Sequence, residues 1–187
     1  MFRIIVCAVF LLLVATACED PFNLWLPDKT TEGLNTLGFV SDECVWTNYG
    51  RRCSEKGACV ENLVKATLYK QQDKPFELMV TAGFSLPQRS IDQVFALHAN
   101  GISSTGIFPL NVEDGEEIVW ITDASEKYFK QFALSRDSKA ELIITRYDTL
   151  LNVISGEFRG VLYNPNNPLE RVTVSDGRFD IEMAYSR

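Results

Sequence analysis

Cys18 is the residue whose surroundings speak most directly of chemistry. It follows Ala15-Thr16-Ala17, which follows an unbroken apolar run from Ile4 to Val14 and the basic Arg3. A charged start, a short apolar stretch and small residues ahead of a cysteine form the layout of a bacterial lipoprotein signal, in which that thiol receives lipid. Ala15-Thr16-Ala17 also satisfies the small-x-small rule for plain secretory cleavage, after which Cys18 would merely begin a secreted chain. The apolar run is too short to span a membrane, which takes about 20 residues. The expectation is a signal over residues 1–17 and lipidation of Cys18 by acyl chains such as palmitate. Two or more chains suffice for stable anchoring, at about 0.8 kcal/mol per buried CH2.

The remaining thiols are unequal. Cys7 leaves with the signal, while Cys44, Cys53 and Cys59 enter a compartment that permits disulfides. Three pairings are possible, each leaving one thiol spare. Cys53 and Cys59 bracket the polar, glycine-containing Ser54-Glu55-Lys56-Gly57-Ala58 and are the expected pair. A loop this small contributes roughly 2 kcal/mol on the chain-entropy model. Three cysteines without a nearby histidine do not match a zinc spacing, so no metal is expected.

Acid–base chemistry has few candidates. His98 is the only histidine, and a catalytic triad would set it beside a nucleophile and an acid. No G-x-S-x-G motif is present, so an ordinary strand residue is the expectation. Glu157, Asp176, Asp180 and Glu182 could supply paired carboxylates for glycoside hydrolysis. Against that, Glu157, Asp180 and Glu182 fall on polar strand faces, and Asp176 belongs to an Asp-Gly turn. Glu113, Asp114, Glu116 and Glu117 are the densest acid cluster, but the calcium-loop spacing is missing. No catalytic residue and no cofactor is assigned.

Among the large aromatics, Trp46 and Trp120 are expected in the core. Tyr128 and Phe129 are further candidates for a binding platform. Tyr49, beside Gly50 and the only basic doublet, Arg51-Arg52, is the candidate ligand-binding residue. The doublet itself reads as a solvated loop.

The elements that must position these residues are strands. From Leu34 onward the apolar period is mostly two. Leu37–Val40 and Cys44–Thr47 flank a turn. Val60–Tyr69, Phe76–Phe84 and Ile91–Ala99 follow, the last also compatible with helical spacing but read as strand beside its neighbours. Gly106–Leu110 reads as an edge strand, since Pro109 cannot donate to a ladder. Glu113-Asp114-Gly115-Glu116 predicts a tight hairpin, with Ile118–Thr122 pairing back. Ala124–Leu134 is strand or short helix. Glu141–Tyr147, Val153–Tyr163, Val172–Val174 and Phe179–Met183 complete the set. In the last, Phe179, Ile181 and Met183 point to the core, and Arg178, Asp180 and Glu182 to water. Short strands at regular spacing predict an all-β domain, an antiparallel β-sandwich or barrel, over 34–187.

Residues 18–33 carry prolines, acids and a glycine and read as a lipidated tether. Phe22, Leu24, Trp25 and Leu26 are unusual there; docking on the domain and lying at the membrane interface are both open. The full chain has 18 Lys and Arg against 25 Asp and Glu. With Arg3 removed, 17 basic side chains face 25 acidic ones, a net charge of −8. An acidic chain without a basic cluster speaks against nucleic acid and against adhesion to anionic head groups.

Two groups of residues occur together: Asn35-Thr36-Leu37-Gly38-Phe39-Val40 with Val45-Trp46-Thr47, and Ile144-Thr145-Arg146-Tyr147-Asp148, Ile154-Ser155-Gly156-Glu157-Phe158 with Val174-Ser175-Asp176-Gly177-Arg178-Phe179-Asp180. In this order they resemble a family of small Bacteroidota-type lipoproteins carrying a domain of unknown function, over most of 34–183. The resemblance implies a cell-envelope β-protein and brings no catalytic residues. Cys44 departs from it, where the family turn is followed by lysine, and the Cys53–Cys59 loop looks like an insertion. The resulting expectation is a protein anchored to the outer membrane by lipid on Cys18, facing the periplasm or the cell surface. Glu19-Asp20 is compatible with export to the outer leaflet. Its role is read as non-enzymatic binding of an envelope protein or glycan, with a glycan hydrolase using Glu157 and Asp180 as the alternative.

Overall fold

Period-two alternation builds almost the whole of this computed structural model, which describes residues 24–42, 44–54, 56–70, 76–123 and 130–186. The signal, Cys18, Phe22, Tyr128 and Phe129 lie outside the described residues. Thirteen strands form among the described residues. They are β1 (Thr36–Ser41), β2 (Cys44–Thr47), β3 (Tyr49–Cys53), β4 (Cys59–Glu61), β5 (Val64–Tyr69), β6 (Glu77–Leu86), β7 (Ile91–Ala99), β8 (Gly106–Leu110), β9 (Glu117–Asp123), β10 (Lys130–Ala133), β11 (Ala140–Asp148), β12 (Val153–Asn164) and β13 (Asn167–Ser186). The protein is all-β, as the sequence predicts.

The ladder order is β2-β1-β13-β5-β6-β7-β9-β10-β12-β11-β8, and β12 also pairs with β13. The path therefore closes: from β13 through β5, β6, β7, β9 and β10 to β12, and back to β13. The β1–β2 and β8–β11 pairs extend from this ring as wings. The length of β13 makes closure possible. One edge lies along β12, while the other pairs first with β1 and then, from Met183 to Ser186, with β5. Pro109 is accommodated because β8 is the outermost strand of its wing.

The core lies inside this barrel-like shell. Phe39 stacks on Trp46 at 5.0 Å, lies 5.2 Å from Phe95 and meets Trp120 edge-on at 5.3 Å. Phe95 stacks on Phe158, also at 5.0 Å. These rings come from β1, β2, β7, β9 and β12, so a single aromatic cluster ties both sides of the shell together. Full burial of Phe39 and Phe95 is worth about 2–3 kcal/mol for each side chain. Ile154, Phe158 and Leu162 of β12 face inward as the sequence predicts.

Several expectations need correcting. Two ladders are parallel rather than antiparallel: β13 with β5, and β3 with β6. Both join segments far apart in sequence, where no hairpin dictates direction. The acid-rich turn does not make a hairpin, because β8 pairs with β11 while β9 pairs with β7 and β10. Instead Asn111 accepts from Glu113 N, and Gly115 takes a left-handed φ of 79°. The buried Glu116 accepts from the backbone N–H groups of Asn100 and Asn111. These bonds form a corner that carries the chain from the β8–β11 wing into the ring at β9. Val60–Tyr69 is split between β4 and β5 at Asn62, which has φ 46°. Asp176-Gly177 is a bulge within β13 and not a turn: the register slips there against both β12 and β1.

Residues 24–35 form a strap along the outer face of β13 and β12. Leu24 packs against the core cluster. Pro27 and Leu26 lie over Gly38, where an added Cβ would sit 2.6 Å from Pro27 Cδ. Gly38 is thus the bare patch that lets the strap down onto β1. The docking alternative holds for Leu24 and Leu26, whereas Trp25 is 77% exposed.

Candidate functional site

Two polar clusters contain the residues singled out in the sequence. The first is under the strap. Asp180 projects from the outer face of β13, as alternation with Phe179 and Ile181 demands, but it is buried and not wet. Thr30 Oγ1 donates to Asp180 Oδ2 at 2.6 Å, and the backbone N–H groups of Glu32 and Leu34 donate to the same oxygen. Gly33 N and Ser155 Oγ donate to Oδ1 at 2.8 and 2.7 Å. Burial alone would raise the carboxyl pKa. The bonds from Thr30, Ser155, Gly33 and Glu32 outweigh it and lower the pKa to about 2. Glu157 lies nearby on β12, 2.6 Å from Lys29 of the strap. Arg178 and Arg146 complete the fastening by donating to the carbonyls of Pro27 and Thr31. The two carboxylates considered for hydrolysis are both occupied in holding the strap. A saturated carboxylate ionised down to about pH 2 is no general acid.

The second cluster surrounds the hairpin β3–β4. Cys53 and Cys59 are paired, as the sequence predicts, and join its two strands. Cys44 is disulfide-bonded as well, so the spare thiol expected among the three is not there. Gly50 brings the hairpin against β6. Its φ is 88°, and an added Cβ would lie 1.9 Å from Ser85 O. Only glycine permits that approach. It opens a groove of about 550 Å3 bordered by Arg51, Arg52, Ser85, Ser90, Asp92 and Asp123. Arg52 Nη2 donates to Asp92 Oδ2 at 3.0 Å, while Asp92 Oδ1 is shielded from solvent and has no protein partner. The Arg51-Arg52 doublet therefore lies on a strand wall and not in a solvated loop. Arg51 stays exposed beside Glu61, at 3.6 Å. Tyr49 shares the Arg51 and Cys53 side of β3 by alternation, is 47% exposed and rests on Phe84 with centroids 6.1 Å apart.

The other candidates fall into structural places. His98 lies on β7 with Nδ1 2.9 Å from Gly115 O. A carbonyl only accepts, so Nδ1 carries a proton, and Nε2 faces Glu77 Oε2 at 3.8 Å. Trp46 is buried and donates to Gln93 Oε1 at 2.8 Å. Trp120 is partly buried against Phe39 and Phe132. No trio of metal-ligating side chains occurs among the described residues.

A wider depression of about 630 Å3 crosses β11, β12 and β13 near Lys139, Glu141, Arg159 and Thr173. Its Arg159 and Glu141 neutralise each other at 2.7 Å. Among the described residues, only Asp92 Oδ1 and Trp120 Nε1 are buried side-chain polar atoms without a partner, which makes the hairpin groove the better candidate. Sequence reading found Tyr49 and the disulfide there but missed Ser90, Asp92 and Asp123. These carry no motif, and Asp92 of β7 meets Arg52 only because β6 pairs with β7 on one edge and, in parallel, with β3 on the other. Comparison with known proteins yields no match among family models, curated proteins or solved structures.

Proposed function

We propose that this chain is a lipid-anchored cell-envelope protein whose β-domain binds a hydroxyl-rich ligand, an envelope glycan, in the groove beside the β3–β4 hairpin. The address comes from the signal-like residues 1–17 ahead of Cys18 and from the resemblance to Bacteroidota-type lipoproteins. The domain faces the periplasm or the cell surface from the outer membrane. The observation that carries the binding reading is the Arg52–Asp92 pair, 3.0 Å apart on the groove wall with side chains 35% and 43% exposed. Sugar hydroxyls donate and accept at once, so neighbouring guanidinium and carboxylate groups read them together. Tyr49, on the Arg51 side of β3 at the base of the hairpin, adds an exposed ring beside the groove, suited to the apolar face of a sugar. No bond-breaking step is needed.

Calorimetric titration of the purified domain with soluble envelope oligosaccharides tests the binding. Tyr49→Ala and Arg52→Ala should each weaken it tenfold or more while circular dichroism stays unchanged. Binding that survives both substitutions would refute the groove. Intact mass tests the anchor: lipid on Cys18 adds acyl chains that Cys18→Ser lacks. Because Cys44 is disulfide-bonded and Cys53 is paired with Cys59, the competing fate of that thiol is a disulfide, and a mass without acyl chains that rises by four hydrogens on reduction, two of them from Cys53–Cys59, would refute the anchor.

A further inference from the structure

We infer that the Trp25 end of the strap is the membrane-facing pole of the protein, with the Trp25 ring seated in the lipid interface and the β11–β12 turn directed away from the bilayer. This rests on lipidation of Cys18. Six residues, 18–23, separate the lipid from the docked Leu24. At no more than about 3.6 Å per residue they reach roughly 20 Å. The anchor is thus a short leash and cannot let the domain roam.

The strap then sets the orientation. It runs in one direction along β13: Pro27 lies over Gly38, Thr30 reaches Asp180, and Gly33 lies against Val153. Leu24 and Leu26 on either side of Trp25 pack on the domain. Trp25 between them keeps 77% of its surface open. Leu24–Pro27 is an uncharged run. An acidic domain gains nothing from anionic head groups, so its contact with lipid has to be uncharged, and an exposed tryptophan is the side chain that prefers this boundary. Past the other end of the strap, Leu150 and Leu151 are 92% and 64% exposed. Their backbone N–H groups are held by Asp148 Oδ1. That turn would compete for lipid if orientation were free, and the leash makes the choice.

Tryptophan emission can read this, because Trp46 is buried and Trp120 is partly covered. The mature, lipidated protein is reconstituted in vesicles of phosphatidylethanolamine and phosphatidylglycerol (3:1), with or without lipids carrying a doxyl group near the head. Doxyl lipid should quench the wild-type emission, and Trp25→Phe should abolish that quenching. Acrylamide quenching of Trp25 should fall at least threefold relative to unlipidated Cys18→Ser in solution. In a Trp25→Phe background, Leu150→Trp should stay open to acrylamide and untouched by doxyl lipid. Protein that floats with the vesicles but leaves Trp25 open to acrylamide, or buries a tryptophan at 150, overturns the orientation while leaving the anchor standing. Protein that does not float overturns the anchor, and the orientation with it.

Discussion

Asp180 and Asp92 are both strand aspartates, and their surroundings are opposite. Asp180 receives five donors on its two oxygens, three of them backbone N–H groups of the strap. Asp92 receives Arg52 on one oxygen and has no protein partner on the other. A saturated carboxylate is finished: it fixes chain and has no capacity left for a ligand. An unsaturated one costs stability until something completes it. The contrast separates a fastening from a binding site without reference to sequence motifs.

The largest effect that can break the comparison lies at Asp180. Asp180→Ala strands five donors, most of them beneath the strap, and should cost about 3–5 kcal/mol. For a domain of this size that lowers Tm by roughly 6–20 °C. Thermal denaturation checks it, and glycan affinity at the groove should be unaffected. A loss of under about 1 kcal/mol would mean that the strap is not part of the fold. The same carboxylate gives a pH signature. Its folded pKa, about 2, lies below the ordinary 3.8, so its contribution is present above pH 3.8 and is lost as pH falls toward 2. The strap should detach in that window, read as new protease cleavage near 28–33, and Asp180→Ala should abolish the pH dependence.

The disulfide comes next. Cys53→Ser with Cys59→Ser should cost about 2 kcal/mol on the loop-entropy model, because the closed loop is short. Its effect on binding should be larger in proportion. The hairpin that carries Arg51 and Arg52 pairs only at Tyr49 and Gly50 with the rest of the sheet. Glycan affinity should fall tenfold or more in the double variant. Equal affinity would show that the groove does not depend on the hairpin.

What was legible in the sequence follows the same division. Alternation reveals which way a strand residue points, and so the inward row of Ile154, Phe158 and Leu162, the core placement of Trp46 and the edge role of the Pro109 strand could all be read. Alternation does not reveal what lies over the outer face. Asp180 points outward as read, but the strap covers it, and nothing in Thr30 to Leu34 announces three backbone donors. The groove was half legible. Tyr49 and the Cys53–Cys59 pair are local features, whereas Arg52 and Asp92 are 40 residues apart and meet across β6, whose parallel ladder with β3 no turn signal encodes. The bulge at Asp176 was misread for a related reason: Asp-Gly marks a left-handed residue, and a turn and a bulge both use one.

The smallest effect on stability sharpens the contrast most. Arg52 and Asp92 side chains are 35% and 43% exposed, so their ion pair is worth at most about 1 kcal/mol. Arg52→Ala should therefore shift Tm by no more than about 4 °C, while reducing glycan affinity at least tenfold. Asp92→Asn keeps the shape and gives the unpartnered oxygen's position a chance to donate, so it should change which hydroxyl pattern is preferred more than how tightly the groove binds. If Arg52→Ala instead destabilised the domain as strongly as Asp180→Ala, the pair would be a second fastening, and the groove would lose its claim to be the site.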